Sequence, residues 1–88
     1  MTARADQLKR AREARDAWAE FVARMAAALA AAEDFAAELP AKAPNIAARS
    51  ALRVTKAHAK DGVRWAKLAL HQGEQMLRQA EIAIEAFD

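Results

Sequence analysis

Few side chains in this sequence can make or break bonds. His58 and His71 are the only imidazoles, Thr2, Ser50 and Thr55 the only hydroxyls, and cysteine is absent. The missing thiols exclude disulfides, thiolate nucleophiles and zinc–thiolate sites. A hydroxyl nucleophile needs a base within hydrogen-bond reach. Ser50 and His58 are eight positions apart, about 80° around a helix and two turns along it, so they do not meet and no triad assembles. Carboxylate-bridged di-iron bundles carry Glu-x-x-His on two helices. Here the order is reversed, His58 preceding Asp61 and His71 preceding Glu74, and the two histidines fall on different helical faces. The expectation is a non-enzymatic chain with no catalytic residues, no metal site and no cofactor.

A row of cations is the other chemical signal. Arg49, Arg53, Lys56, Lys60, Arg64 and Lys67, followed by His71, step by three and four positions and so share one face of a helix. Residues 40–71 hold seven Lys and Arg against the single acid Asp61, a local net charge of +6. Such a stripe suits nucleic-acid phosphates or an acidic partner. The remaining blocks favour internal pairing instead, because residues 2–15 carry +3, residues 16–39 carry −4 and residues 72–88 carry −3. A chain folded back on itself sets −4 beside +6 and +3 beside −3. Glu33, Asp34 and Glu38 then fall near Arg49 and Arg53, and Glu20 near Lys60 and Arg64. Each exposed pair is worth about 0–1 kcal/mol, so such pairs select orientation more than they stabilise. No Gly-rich loop or short recognition helix accompanies the stripe, which leaves nucleic-acid binding as the alternative reading.

Two long helices must carry these residues. Of 88 residues 55% are apolar, but 27 are alanine; with 30% charged residues, two Gly, two Pro and no Tyr, the composition is that of long helix. Only Leu39-Pro40-Ala41-Lys42-Ala43-Pro44-Asn45 carries turn chemistry, since two prolines four apart cannot both sit inside one helix. Helices are expected over about residues 2–39 and 45–87 around a turn at 40–44, with Thr2 and Asn45 as N-caps. The first has a 3/4-spaced seam, Leu8, Ala11, Arg15, Trp18, Val22, Met25, Leu29, Ala32, Ala36 and Leu39, with Ala14, Phe21, Ala28 and Phe35 beside it. The second has Leu52, Ala59, Val63, Ala66, Leu70, Gly73, Leu77, Ala80, Ile84 and Phe87. That seam stays in phase through Asp61 and Gly62, so the second helix is expected to be continuous. Gly62 and Gly73 are expected to form a groove of small side chains against the first helix. The fold class is all-α, a single-domain antiparallel two-helix hairpin. With the turn centred near residue 42, facing residue numbers add to about 84, which sets Trp18 level with Trp65.

The apolar arc of the second helix is wider than one partner covers, because Ala51, Val54, Trp65, Met76 and Ala83 flank its seam. The hairpin is therefore expected to dimerise into a four-helix bundle. The expected association face comprises Trp18, Phe21, Val22, Met25, Leu29, Phe35, Val54, Trp65, Leu70, Met76, Leu77 and Ile84. The expected partners are a second copy and a larger protein, in a scaffold, adaptor, assembly or inhibitor role of the kind filled by small phage proteins. Residues 1–16 show no apolar leader segment, and the longest uncharged run of the first half, Met25 to Ala32, has eight residues. A bilayer span needs about 20. No membrane partner is expected, and the expected compartment is the cytoplasm.

Overall fold

Alanine-rich stretches free of proline on either side of Pro40 and Pro44 coil into the two helices their seams require. The computed structural model describes residues 3–87. They form α1 (Ala3–Glu38, 36 residues) and α2 (Ile46–Phe87, 42 residues), packed along each other in a rod 70 × 16 × 14 Å, with no strand among the described residues. The helices are antiparallel: the Arg4 guanidinium at the start of α1 donates to the Phe87 carbonyl at the end of α2, 2.9 Å away. That contact also satisfies one of the carbonyls a helix C-terminus leaves open. Asn45 caps α2 as its residue type predicts, its Oδ1 accepting from the Ala48 N–H at 2.8 Å. The proposed Thr2 cap lies outside the described residues. No described helix is long and apolar enough to cross a membrane.

Burial follows the two seams. Every seam position from Leu8 to Leu39 is partly buried, and so is every one from Leu52 to Phe87, with Ala59, Gly73 and Ala80 the most enclosed. Arg15, the one polar member of the α1 seam, lays its stem along the interface and holds its head outward on Asp16 at 3.1 Å. The helix passes through Asp61 and Gly62 unbroken. Gly73 is the position where the chains approach closely: a Cβ placed there would lie 2.7 Å from Cδ1 of Phe21. Gly62 departs from the expected groove of small residues. It is exposed, and a Cβ there would meet nothing within 4 Å.

The register differs from the expected one. Phe21 faces Gly73, and Ala32 and Phe35 share a cleft with Ala59 and Gly62, so facing residue numbers add to about 94. The shift arises at the connection. Pro40 and Pro44 do not fold residues 39–45 into a tight reversal; bends at residues 39, 41, 42, 44 and 45 carry the chain along α2 as an irregular strap, each proline keeping it out of helix. Leu39 and Ala43 of this strap are partly buried, as are Ala48 and Leu52 of α2. The strap thus takes the place of a helix over the first turns of α2. Glu38 ends α1 at about the level of Lys56, and α2 overhangs it by about ten residues, or 15 Å. Seven extended residues reach up to about 23 Å, enough to bridge that distance.

Two expectations fall with the register. Trp18 and Trp65 are not level; about eleven residues, or 16 Å, separate them along the axis. Trp18 is half-buried against Phe21 in an edge-to-face pair with centroids 5.5 Å apart, whereas Trp65 is 63% exposed. The cross-helix ion pairs are also absent. Among the described residues the ion pairs are Arg15–Asp16, Arg24–Glu20 and Arg64–Asp61, each within one helix. Glu33, Asp34 and Glu38 stop short of Arg49 and Arg53, which stand on the overhang.

Leu70 sits on the α2 seam half-buried, and Lys67 lies on the exposed flank. Leu70→Ala is expected to cost about 2 kcal/mol, the low end of the range for a core leucine because part of the side chain already meets water. Lys67→Ala should change stability by less than about 0.5 kcal/mol. Urea unfolding of the two variants measures the contrast.

Candidate association interface

On α2, 100° per residue divides the surface into three arcs. One is the seam against α1. The second holds the cations from Arg49 to Lys67 and, toward the C-terminus, Glu74 and Glu85. The third carries Val54, Trp65, Leu68 and Met76, all substantially exposed, with Ile82 at its edge. Over the length of α2 this third arc contains one acid, Asp61, and that charge is held by the Arg64 guanidinium at 3.4 Å. The same guanidinium reaches to 5.9 Å from the centre of the Trp65 ring. The arc is otherwise Ala, Gln, Ser and His58, and is exposed except at Ala83 near its C-terminal end.

Helix α1 contributes to the same side of the rod. Phe35, 52% exposed, lines an apolar cleft of about 320 Å³ with Ala32, Thr55, His58, Ala59 and Gly62. Phe21 leans on Gly73 along the same edge. Phe35, Gly62 and the α2 arc therefore form one continuous composite face. The helix beside it is uncharged all round from Met25 to Ala32, so no α1 charge interrupts the middle of the rod.

The expected association residues divide into two sets. Trp18, Phe21, Val22, Met25, Leu29, Leu70, Leu77 and Ile84 are partly buried between the two helices. Phe35, Val54, Trp65 and Met76 lie on the open composite face. Leu68 and Ile82 belong with the second set and were not in the expected face, although Leu68 follows Trp65 by three positions, a helical spacing that points to it. The stripe residues Arg49, Arg53, Lys56, Lys60, Arg64 and Lys67 are exposed; all but Arg64 lie on the flank away from this face, and the Arg64 guanidinium reaches over to Asp61 and Trp65 at its border.

The side chains with catalytic potential lie apart. Ser50, His58 and His71 are all exposed, and the Thr55 hydroxyl donates to the Ala51 carbonyl at 2.9 Å, a bond back along its own helix. No group of three His, Asp or Glu able to hold a metal ion occurs among the described residues.

Exposed area sets the scale of what is missing from the core. The hairpin exposes 6842 Å², whereas a compact monomer of its mass exposes about 5,100 Å². Part of that excess is the cost of a rod shape, yet it is about twice what each partner buries in a standard protein interface. Ala59 and Ala80 are the only buried apolar side chains among the described residues, and no large side chain is fully enclosed. No protein-family model, curated protein or solved structure matches the chain.

Proposed function

We infer that the protein works by non-enzymatic association, through self-pairing of the composite face and, in that form, as a scaffold, adaptor, assembly component or stoichiometric inhibitor of a larger protein. The observation that carries this reading is the neutral exposed face spanning both helices, with Phe35, Val54, Trp65, Leu68 and Met76 open to water on a hairpin that encloses no large side chain. A contiguous apolar patch of this kind on a small chain marks an interaction surface. A second hairpin laid against it gives four helices around a shared core, and the cleft beside Gly62 offers a hole for a partner's side chain.

Charge favours the antiparallel arrangement. A parallel pair sets the +6 block of one copy beside the +6 block of the other, whereas the antiparallel pair sets each basic end beside the acidic C-terminal part of α2 in its partner. The pairing is isologous and closed, so it ends at two copies.

Apolar burial is nearly indifferent to salt, and exposed charge pairing is not. Sedimentation equilibrium at roughly 50 and 500 mM salt, where the Debye length falls from above 10 Å to well below it, should find the dimer at both. A monomer at both salts would overturn self-pairing and point the composite face at a different, larger protein.

A further inference from the structure

The geometry points to a second site: we propose that the cationic groove at the strap end of the hairpin binds the phosphate backbone of nucleic acid, without reading base sequence. The groove, about 590 Å³, lies where residues 41–43 run beside the first turns of α2. Lys42, Arg49, Arg53 and Lys56 line it with Ala41, Ala43 and Leu52, and no carboxylate does. This proposal is independent of the association face, which lies on the other flank of α2.

The absence of acids is a consequence of register. Because the strap, and not α1, runs beside the first turns of α2, α1 and its Glu33, Asp34 and Glu38 end before Arg49 and Arg53 begin. Among the described residues Arg49, Arg53, Lys60 and Lys67 form no ion pair. The Lys56 ammonium donates to the Ala41 carbonyl at 3.1 Å, which fixes the strap as one wall of the groove. Four like charges gathered in one concavity raise the energy of the unbound chain, and a multiply charged anion relieves that repulsion. Two arginines one turn apart add fork-shaped donors that suit phosphate oxygens.

The shape favours a strand over a compact anion. The cations leave the groove and continue through Lys60 to Lys67 on a straight helix. The distance from Arg49 to Lys67 is about 27 Å, the span of several successive phosphates. A nucleic-acid backbone needs only such charges. An acidic protein segment also needs an apolar centre to dock on, and this flank offers only Leu52 and Ile46 at its start and none along Lys56 to Lys67. No aromatic ring lies in the row, so there is no platform on which bases stack.

Fluorescence anisotropy of the full chain tests this, with a short mixed-sequence single strand, its duplex, and a polyglutamate peptide as separate labelled probes. Neutralising four phosphates predicts that raising salt from roughly 50 to 200 mM weakens binding about 50-fold for the single strand and about 150-fold for the duplex. Arg49→Glu with Arg53→Glu should lower affinity more than about tenfold and flatten the salt dependence, with helicity and sedimentation unchanged. Met76→Glu, on the association face more than two turns beyond Lys67, should leave affinity for the short strand unchanged, so loss of self-pairing and loss of this site are read separately. No binding at the lower salt, equal binding by the double variant, or tighter binding of polyglutamate than of either nucleic acid would each overturn the proposal.

Discussion

Trp65→Glu is expected to turn the paired protein into monomers while leaving the hairpin folded. The indole is 63% exposed in the single hairpin, so its loss removes little from the fold of one chain, and helix propensity changes by only a few tenths of a kcal/mol. In the pair the same position lies near the middle of the composite face. There a tryptophan anchor is worth about 2 kcal/mol or more, and a carboxylate in its place must be stripped of water with no partner charge. Weakening by at least about 30-fold follows. Sedimentation equilibrium reads the dissociation, and circular dichroism under dilute conditions should find the helicity and midpoint of the monomer within about 0.5 kcal/mol of the parent. An intact dimer in this variant would place the interface on another face.

The two glycines are expected to respond to the same substitution with opposite signs. Gly62 has no atom within 4 Å of a built Cβ. Gly62→Ala therefore removes a helix-interior glycine at no steric cost and should stabilise the chain by about 0.5–1 kcal/mol. At Gly73 the new methyl would lie 2.7 Å from Cδ1 and 2.9 Å from Cε1 of Phe21, and 3.2 Å from Cγ2 of Val22. The Phe21 ring is itself held edge-on by Trp18, so the helices must separate or the ring must leave its rotamer. Overpacking of about 1–3 kcal/mol offsets or outweighs the propensity gain of about 1 kcal/mol, for a net loss of up to about 2 kcal/mol. Chemical denaturation of both variants should thus separate identical substitutions by up to about 3 kcal/mol, with Gly73→Ala the less stable. Equal effects would mean that Gly73 is not the point of closest approach.

The inner seam was legible because burial acts on every turn: from Leu8 to Leu39 and from Leu52 to Phe87, a 3/4 spacing of apolar side chains has one helical solution. Asn45 was legible as a cap for the same local reason. Register was not. Sliding one helix past the other by ten residues is nearly three full turns, and a seam that repeats every three and four positions matches itself almost as well after the slide as before. What decides between the two alignments is the path of residues 39–45, where both a tight turn and a longer, irregular strap satisfy Pro40 and Pro44. The acidic residues Glu33, Asp34 and Glu38 could not decide it, since exposed ion pairs contribute about 0–1 kcal/mol each. The composite face was half legible. Val54, Trp65, Met76 and Phe35 announced it by flanking the seams, while Trp18, Leu70, Leu77 and Ile84 belong to the same apolar arcs and are used between α1 and α2.

The overhang of α2 past Glu38 makes the rod directional, with all four groove cations gathered at the strap end. In the proposed antiparallel pair that directionality would be converted into twofold symmetry, with one basic tip pointing each way and the pair acting as a bivalent linker. A ligand chain long enough to touch both tips meets the second at an effective concentration set by the rod, so avidity exceeds the affinity of either tip alone. Two separate strands bound by the proposed pair would instead be held apart at a distance set by stiff helix, on the scale of the 70 Å length of the hairpin.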